Sequence, residues 1–103
     1  MKVLAIEKDV PGISQAQFKP HLKAEALKVW ELYKTGIIRE IYFRLDQSQA
    51  VLMLECKDSD EATKMLNTLP LVREGLIKFE VLPLGAYPGF ERLFSQDTQS
   101  EEP

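Results

Sequence analysis

Residues 36–57 read GIIREIYFRL, DQSQ and AVLMLECK: two runs rich in β-branched, aromatic and aliphatic residues, joined by a short polar turn. This is the pattern of a β-hairpin. Side chains alternate along a strand, so Ile37, Arg39, Ile41, Phe43 and Leu45 share one face, and Ile38, Glu40, Tyr42 and Arg44 share the other. On the return strand Ala50, Leu52, Leu54 and Cys56 face one way, and Val51, Met53, Glu55 and Lys57 the other. A turn centred on Gln47-Ser48 opposes Leu45 with Ala50, Tyr42 with Met53 and Glu40 with Glu55. In that register the two apolar faces meet, and so do the two mixed ones.

Upstream, Phe18, Leu22, Ala26, Val29, Trp30 and Tyr33 recur at intervals of three and four, which predicts an amphipathic helix with this stripe inward. Ser14 with Gln17 is a capping start, and Gly36 is the C-terminal stop. Pro20 either begins the helix or bends a longer one. Residues 2–8, KVLAIEK, form a first strand, with Leu4 and Ile6 expected on one face and Val3, Ala5 and Glu7 on the other. Downstream, Asp58 with Glu61 opens a second helix with Ala62, Met65, Leu66 and Leu69 inward, ended by Pro70. Residues 76–82, LIKFEVL, form a last strand with Ile77, Phe79 and Val81 on one side and Lys78 and Glu80 on the other.

The order strand, helix, strand, strand, helix, strand predicts an α+β, ferredoxin-like βαββαβ fold. Its antiparallel sheet carries two helices on one face. The domain spans 1–94, including an apolar tail at 84–94, and an acidic, disordered tail follows at 95–103. The helix-free face is expected to hold Val3, Ala5, Ile38, Val51, Met53 and Leu82 among its charges. An exposed patch of that kind marks an interface. A second copy packing sheet to sheet as a two-fold homodimer would cover it, leaving a pocket between the sheets.

A length of 103 residues fits one domain, and 45% hydrophobic with 28% charged residues fits a soluble globular chain. A net charge of -3 with scattered Lys and Arg gives no reason to expect nucleic acid as a partner. Cys56, the single cysteine, cannot form an internal disulfide and suits a reducing compartment. The first run is too short and too charged for a signal peptide, and no apolar run approaches the roughly 20 residues of a membrane span. These features predict a cytoplasmic protein without a membrane partner.

The stretch from Gly36 onward, with DSDEA at 58–62, LPL at 69–71 and FEVLPL at 79–84 followed by Pro88, resembles the muconolactone isomerase family. The resemblance covers the last two thirds of the chain. It implies a ferredoxin-like subunit in a dimeric α/β barrel, with a pocket on the helix-free face and the possibility of higher rings. It also implies proton transfer on a small lactone acid without metal or cofactor. The segment around Arg39-Glu40 and the ending GAYPGFERLF differ from the namesake enzyme, so the resemblance implies a homologue of unassigned function.

Four carboxylates, Glu7, Glu40, Glu55 and Glu80, fall on the expected helix-free face. Glu40 beside Glu55 would be a coupled pair able to hold and release a proton; the competing reading is structural ion pairing with Arg44, Lys78 or Arg39. Tyr42 is a candidate hydrogen-bond donor to an enolate or carboxylate, or a packed tyrosine. Arg44 is the preferred carboxylate anchor, and Met53 lines the same face. His21, with Glu25 one turn on, is a candidate second proton carrier or a partly exposed helix residue. No His/Cys spacing supports a metal site. Cys56 and Trp30 are expected in the core, and Tyr87, Phe90 and Phe94 cover an edge, a partner subunit or the pocket. An isomerase or lyase acting on a small anionic molecule is the first reading. A non-catalytic small-molecule binding or dimerisation module with the same fold is the second.

Overall fold

Strand β1 (Lys2–Asp9) lies at the centre of the sheet and binds a strand on each side. A helical run follows it: α1 (Gln15–Phe18), a 3-10 turn (Lys19–His21) and α2 (Leu22–Lys34). Pro20 thus lies in a 3-10 turn that interrupts a longer helical run. Strands β2 (Ile38–Phe43) and β3 (Ala50–Glu55) form the hairpin, followed by α3 (Ser59–Leu66), the short α4 (Pro70–Arg73) and β4 (Ile77–Pro83). A last 3-10 turn covers Gly89–Leu93. This computed structural model describes residues 1–95; apart from Ser95, the acidic tail expected at 95–103 lies outside the described residues.

All pairings are antiparallel and the sheet order is β2-β3-β1-β4, the ferredoxin-like βαββαβ arrangement. The core lies between the sheet and the helices. Val3, Ala5, Ile38, Leu52 and Leu54 meet Leu32 of α2, Ala62 and Leu66 of α3, and Leu69. A second small cluster of Leu71, Leu76 and Ile77 takes in Ile13 and Phe18. The caps match the sequence pattern. The Gln17 Oε1 accepts the Ser14 N–H at 2.8 Å, and the Asp58 Oδ1 accepts the Glu61 N–H at 2.8 Å. Pro70 does not end α3; the helix stops at Leu66, and Pro70 opens α4 at a position where its missing N–H costs nothing.

Three expectations are corrected. First, β1 is turned over. Val3 pairs with Leu54 and Ala5 with Leu52, so Val3, Ala5 and Glu7 lie on the helix side, while Leu4 and Ile6 join Met53 and Val51 on the helix-free face. Both alternations of VLAI are apolar, so periodicity could not choose between them. Second, the hairpin register slips by two residues: Phe43 opposes Ala50, Tyr42 opposes Val51 and Glu40 opposes Met53. DQSQ contains no glycine for a tight two-residue turn. The loop therefore widens to run from Arg44 to Gln49, closed by the Arg44 N–H on the Gln49 carbonyl at 2.9 Å. Leu45 is left in solvent. Third, a bulge at Arg39 breaks the alternation, so Ile38 faces the helices at 1% exposure.

Candidate functional site

A cleft of about 570 Å³ opens along an edge of the sheet, between α2 and β2. One wall is Ala26, Val29, Trp30 and Tyr33, at the spacing of a single helical stripe. The sequence pattern placed that stripe in the core. The helix is instead rotated so that Phe18, Glu25, Val29 and Leu32 point inward, and Trp30 is 52% exposed. The excess of apolar residues around this helix (Leu22, Leu27, Trp30, Leu32 and Tyr33) is more than one buried face needs. That excess was the available signal. Trp30 and Tyr33 stack at 6.0 Å between ring centroids, and the Lys34 ammonium lies 5.7 Å above the indole.

The other wall is β2: Arg39, Glu40, Ile41 and Tyr42. Arg39 is the extra residue of the bulge, and its Nε donates to the Gly36 carbonyl at 2.6 Å. Gly36 turns the chain from α2 into β2 at φ 86°, a left-handed value that glycine adopts without penalty. The Tyr42 hydroxyl donates to the Glu40 Oε1 at 2.9 Å. That carboxylate pushes the tyrosine's pKa up, because the neutral phenol is the form that donates. The cleft thus brings together an aromatic wall, a guanidinium and a hydrogen-bonded phenol–carboxylate pair.

Glu40 and Tyr42 are therefore the sequence-named residues that meet in one cavity. Glu40 and Glu55 do not form the expected cross-strand pair. With the shifted register Glu55 opposes Lys2, and its Oε2 lies 2.6 Å from the amino-terminal nitrogen, whose hydrogen bond and charge lower its pKa. Arg44 is tied to Asp46 at both ends of its fork, Nε to Oδ1 at 2.9 Å and Nη2 to Oδ2 at 2.6 Å, so it braces the hairpin loop. That pairing raises the arginine's pKa and lowers the aspartate's. Glu80 on the helix-free face pairs with Lys8 at 3.4 Å. Met53 sits half-buried on the same face between Glu40 and Leu4.

Glu7 lies on the other side of the sheet, where its Oε1 accepts the Ala50 N–H at 2.8 Å. Glu25 of α2 accepts the Leu71 N–H at 2.9 Å and feels the charge of Glu7. Half-burial is the main cause raising both pKa values, offset in part by these N–H groups. The two carboxylates satisfy the first free N–H of β3 and an N-terminal N–H of α4. His21 is half-buried one turn before Glu25. Arg39, which shares the apolar parity of Ile37 and Ile41 in the sequence, lines the cleft at the β2 edge beside α2, and as the extra residue of the bulge it stands next to Glu40. Its signal was the three-residue spacing of Ile38 and Ile41 inside a strand of period two.

Cys56 is buried as expected, and burial pushes its thiol pKa up. Among the described residues no group of three or more His, Cys, Asp or Glu side chains is placed to hold a metal, and no helix is long and apolar enough to cross a membrane.

No protein-family model matches the chain, and no curated protein matches it in sequence. Among solved structures it is similar to the 5-chloro-2-hydroxyhydroquinone dehydrochlorinase of Burkholderia phenoliruptrix AC1100, determined in complex with 2,5-dihydroxybenzoquinone. The TM-score is 0.67 at 20% sequence identity, over 86% of this chain and 98% of that one. The likeness is one of fold.

Proposed function

We propose that the chain is a muconolactone isomerase-like enzyme of the isomerase or lyase type, moving a proton on a small anionic organic molecule. The observation that carries this is the Tyr42–Glu40 hydrogen bond beside Arg39 in the α2/β2 cleft. Arg39 keeps its terminal nitrogens for a substrate carboxylate, since the bond to Gly36 uses Nε. Glu40 removes a proton from the carbon next to a substrate carbonyl, and the electron pair left behind moves onto the carbonyl oxygen. The Tyr42 hydroxyl turns from Glu40 to donate to that oxygen. Protonated Glu40 then returns the proton at another carbon, which is isomerisation. Alternatively a leaving group departs, which is a lyase step. Trp30 and Tyr33 suit an unsaturated ring. The dehydrochlorinase of the same fold, which takes a small oxygen-bearing ring, supports this substrate class.

The helix-free face supports a homodimer. Leu4, Ile6, Val51, Met53 and Leu82 lie half-buried across three strands, and β1 is apolar on both faces, as strands covered on both sides are. The second reading, a non-catalytic binding or dimerisation module, is favoured by one observation: Glu40 and Tyr42 are exposed and already satisfy each other.

The test is deuterium uptake from D2O into a panel of unsaturated lactone acids and hydroxylated ring compounds. Exchange next to a carbonyl, abolished by Glu40→Gln, is the expected result. Compounds that bind but exchange no hydrogen leave the binding module standing.

A further inference from the structure

We propose that the tail after β4 of one copy, residues 84–94, lays its aromatic side chains over the α2/β2 cleft of a second copy. The tail is tied to its own subunit by the Leu84 N–H on the Lys2 carbonyl at 3.0 Å. Beyond it Tyr87, Phe90, Leu93 and Phe94 are exposed by 65%, 66%, 74% and 84%. They are not loose chain. Tyr87 meets Phe90 edge to face at 5.1 Å, and the 3-10 turn closes with the Phe94 N–H on the Glu91 carbonyl at 3.1 Å. An ordered turn presenting four large apolar side chains to water is a surface built to be covered.

The cleft is the complementary surface. Trp30, Tyr33, Ile41 and Tyr42 all stand open on it, and its volume of about 570 Å³ accommodates several side chains. The charges match as well. The cleft carries Arg39 and Glu40, and the tail carries Glu91 and Arg92 between its aromatics, so each can find an opposite partner. The tail does not serve its own cleft: none of residues 84–94 lines it and their aromatics stay exposed, although the two sheet edges are only about 14 Å apart, which leaves a second copy as the occupant. A two-fold relation lets each tail reach the other subunit's cleft and closes the assembly at two copies. The inference stands whether or not the cleft is catalytic. If it is, the partner's tail supplies its roof.

Trp30, the only tryptophan of the chain, reports directly on the cleft. Its quenching by acrylamide is measured in the full-length protein, in a Phe90→Ser/Phe94→Ser variant, and in a mixture of that variant with Trp30→Phe. In the mixture only the variant fluoresces and only the Trp30→Phe chain has an intact tail. The expected result is a several-fold rise in quenching for the double variant, and restored shielding on mixing. Equal quenching in the full-length protein and the double variant overturns the proposal. So does shielding that persists where the protein sediments as a monomer, which places the tail on its own cleft, or mixing that restores nothing. Circular dichroism of the double variant checks that the fold is kept, and Trp30→Phe supplies a tail-intact control. No turnover is read, so the outcome is separate from the enzymatic reading.

Discussion

Glu25 and Glu7 carry the clearest pH signature among the individual residues. Both have raised folded-state pKa values, chiefly from desolvation, so the native state binds more protons than the unfolded chain between the ordinary value of 4.5 and the raised one. Their contribution to stability is therefore largest below the unfolded pKa and declines as pH rises through that window. Glu25→Gln keeps a carbonyl for the Leu71 N–H and removes the titration. Its melting temperature should exceed that of the parent at pH 7 and fall less between pH 4 and 7, as followed by thermal circular dichroism. The cleft behaves differently. Under the proposed reaction, Glu40→Gln should lower proton exchange by about 10²–10⁴ and Tyr42→Phe by about 10²–10³, with unfolding midpoints unchanged because both side chains are exposed. Glu40 and Tyr42 were legible in the sequence because two residues apart on a strand is one face in any register. Arg39 was not, because its placement depends on a bulge.

The elements were readable in kind and order, and less so in their relative setting. The caps, the glycine stop and the alternation of β4 are local chemistry, and the structure carries them as the sequence implied. The hairpin register depends on a loop held by Arg44, Asp46 and Gln49 side chains, and such bonds have no periodicity to read. The rotation of α2 depends on which of two apolar ridges the sheet accepts. Two substitutions test the local devices. Gly36→Ala should cost about 1–2 kcal/mol in urea unfolding, from the left-handed backbone, since its new Cβ would meet Arg39 Nε at an ordinary 3.7 Å. Asp58→Ala should cost about 1 kcal/mol by the same measurement, because the Glu61 N–H loses its acceptor at the start of α3.

At the scale of the molecule, the sequence had the architecture right and one strand upside down. Val3 and Ala5, the smaller pair, fit beneath the helices at 0% exposure, and the larger Leu4 and Ile6 go to the open face. Leu4, between Met53 and Leu82 in the ladder, is the centre of that face. If the proposed homodimer forms through this face, Leu4→Lys should leave the far-ultraviolet spectrum intact and shift the sedimentation coefficient from dimer to monomer; a dimer that survives places the contact elsewhere. The bulge at Arg39 has a separate consequence for how the chain can vary in length. Ile38 already opposes Leu54 and Glu40 already opposes Met53, so excising the single residue between them leaves every other rung in place. A one-residue deletion, ordinarily ruinous inside a strand, should be tolerated here, with the urea unfolding midpoint kept. It erases the cation that the cleft would offer to an anion while keeping the sheet, so recognition could be lost or regained through a single codon's insertion or loss.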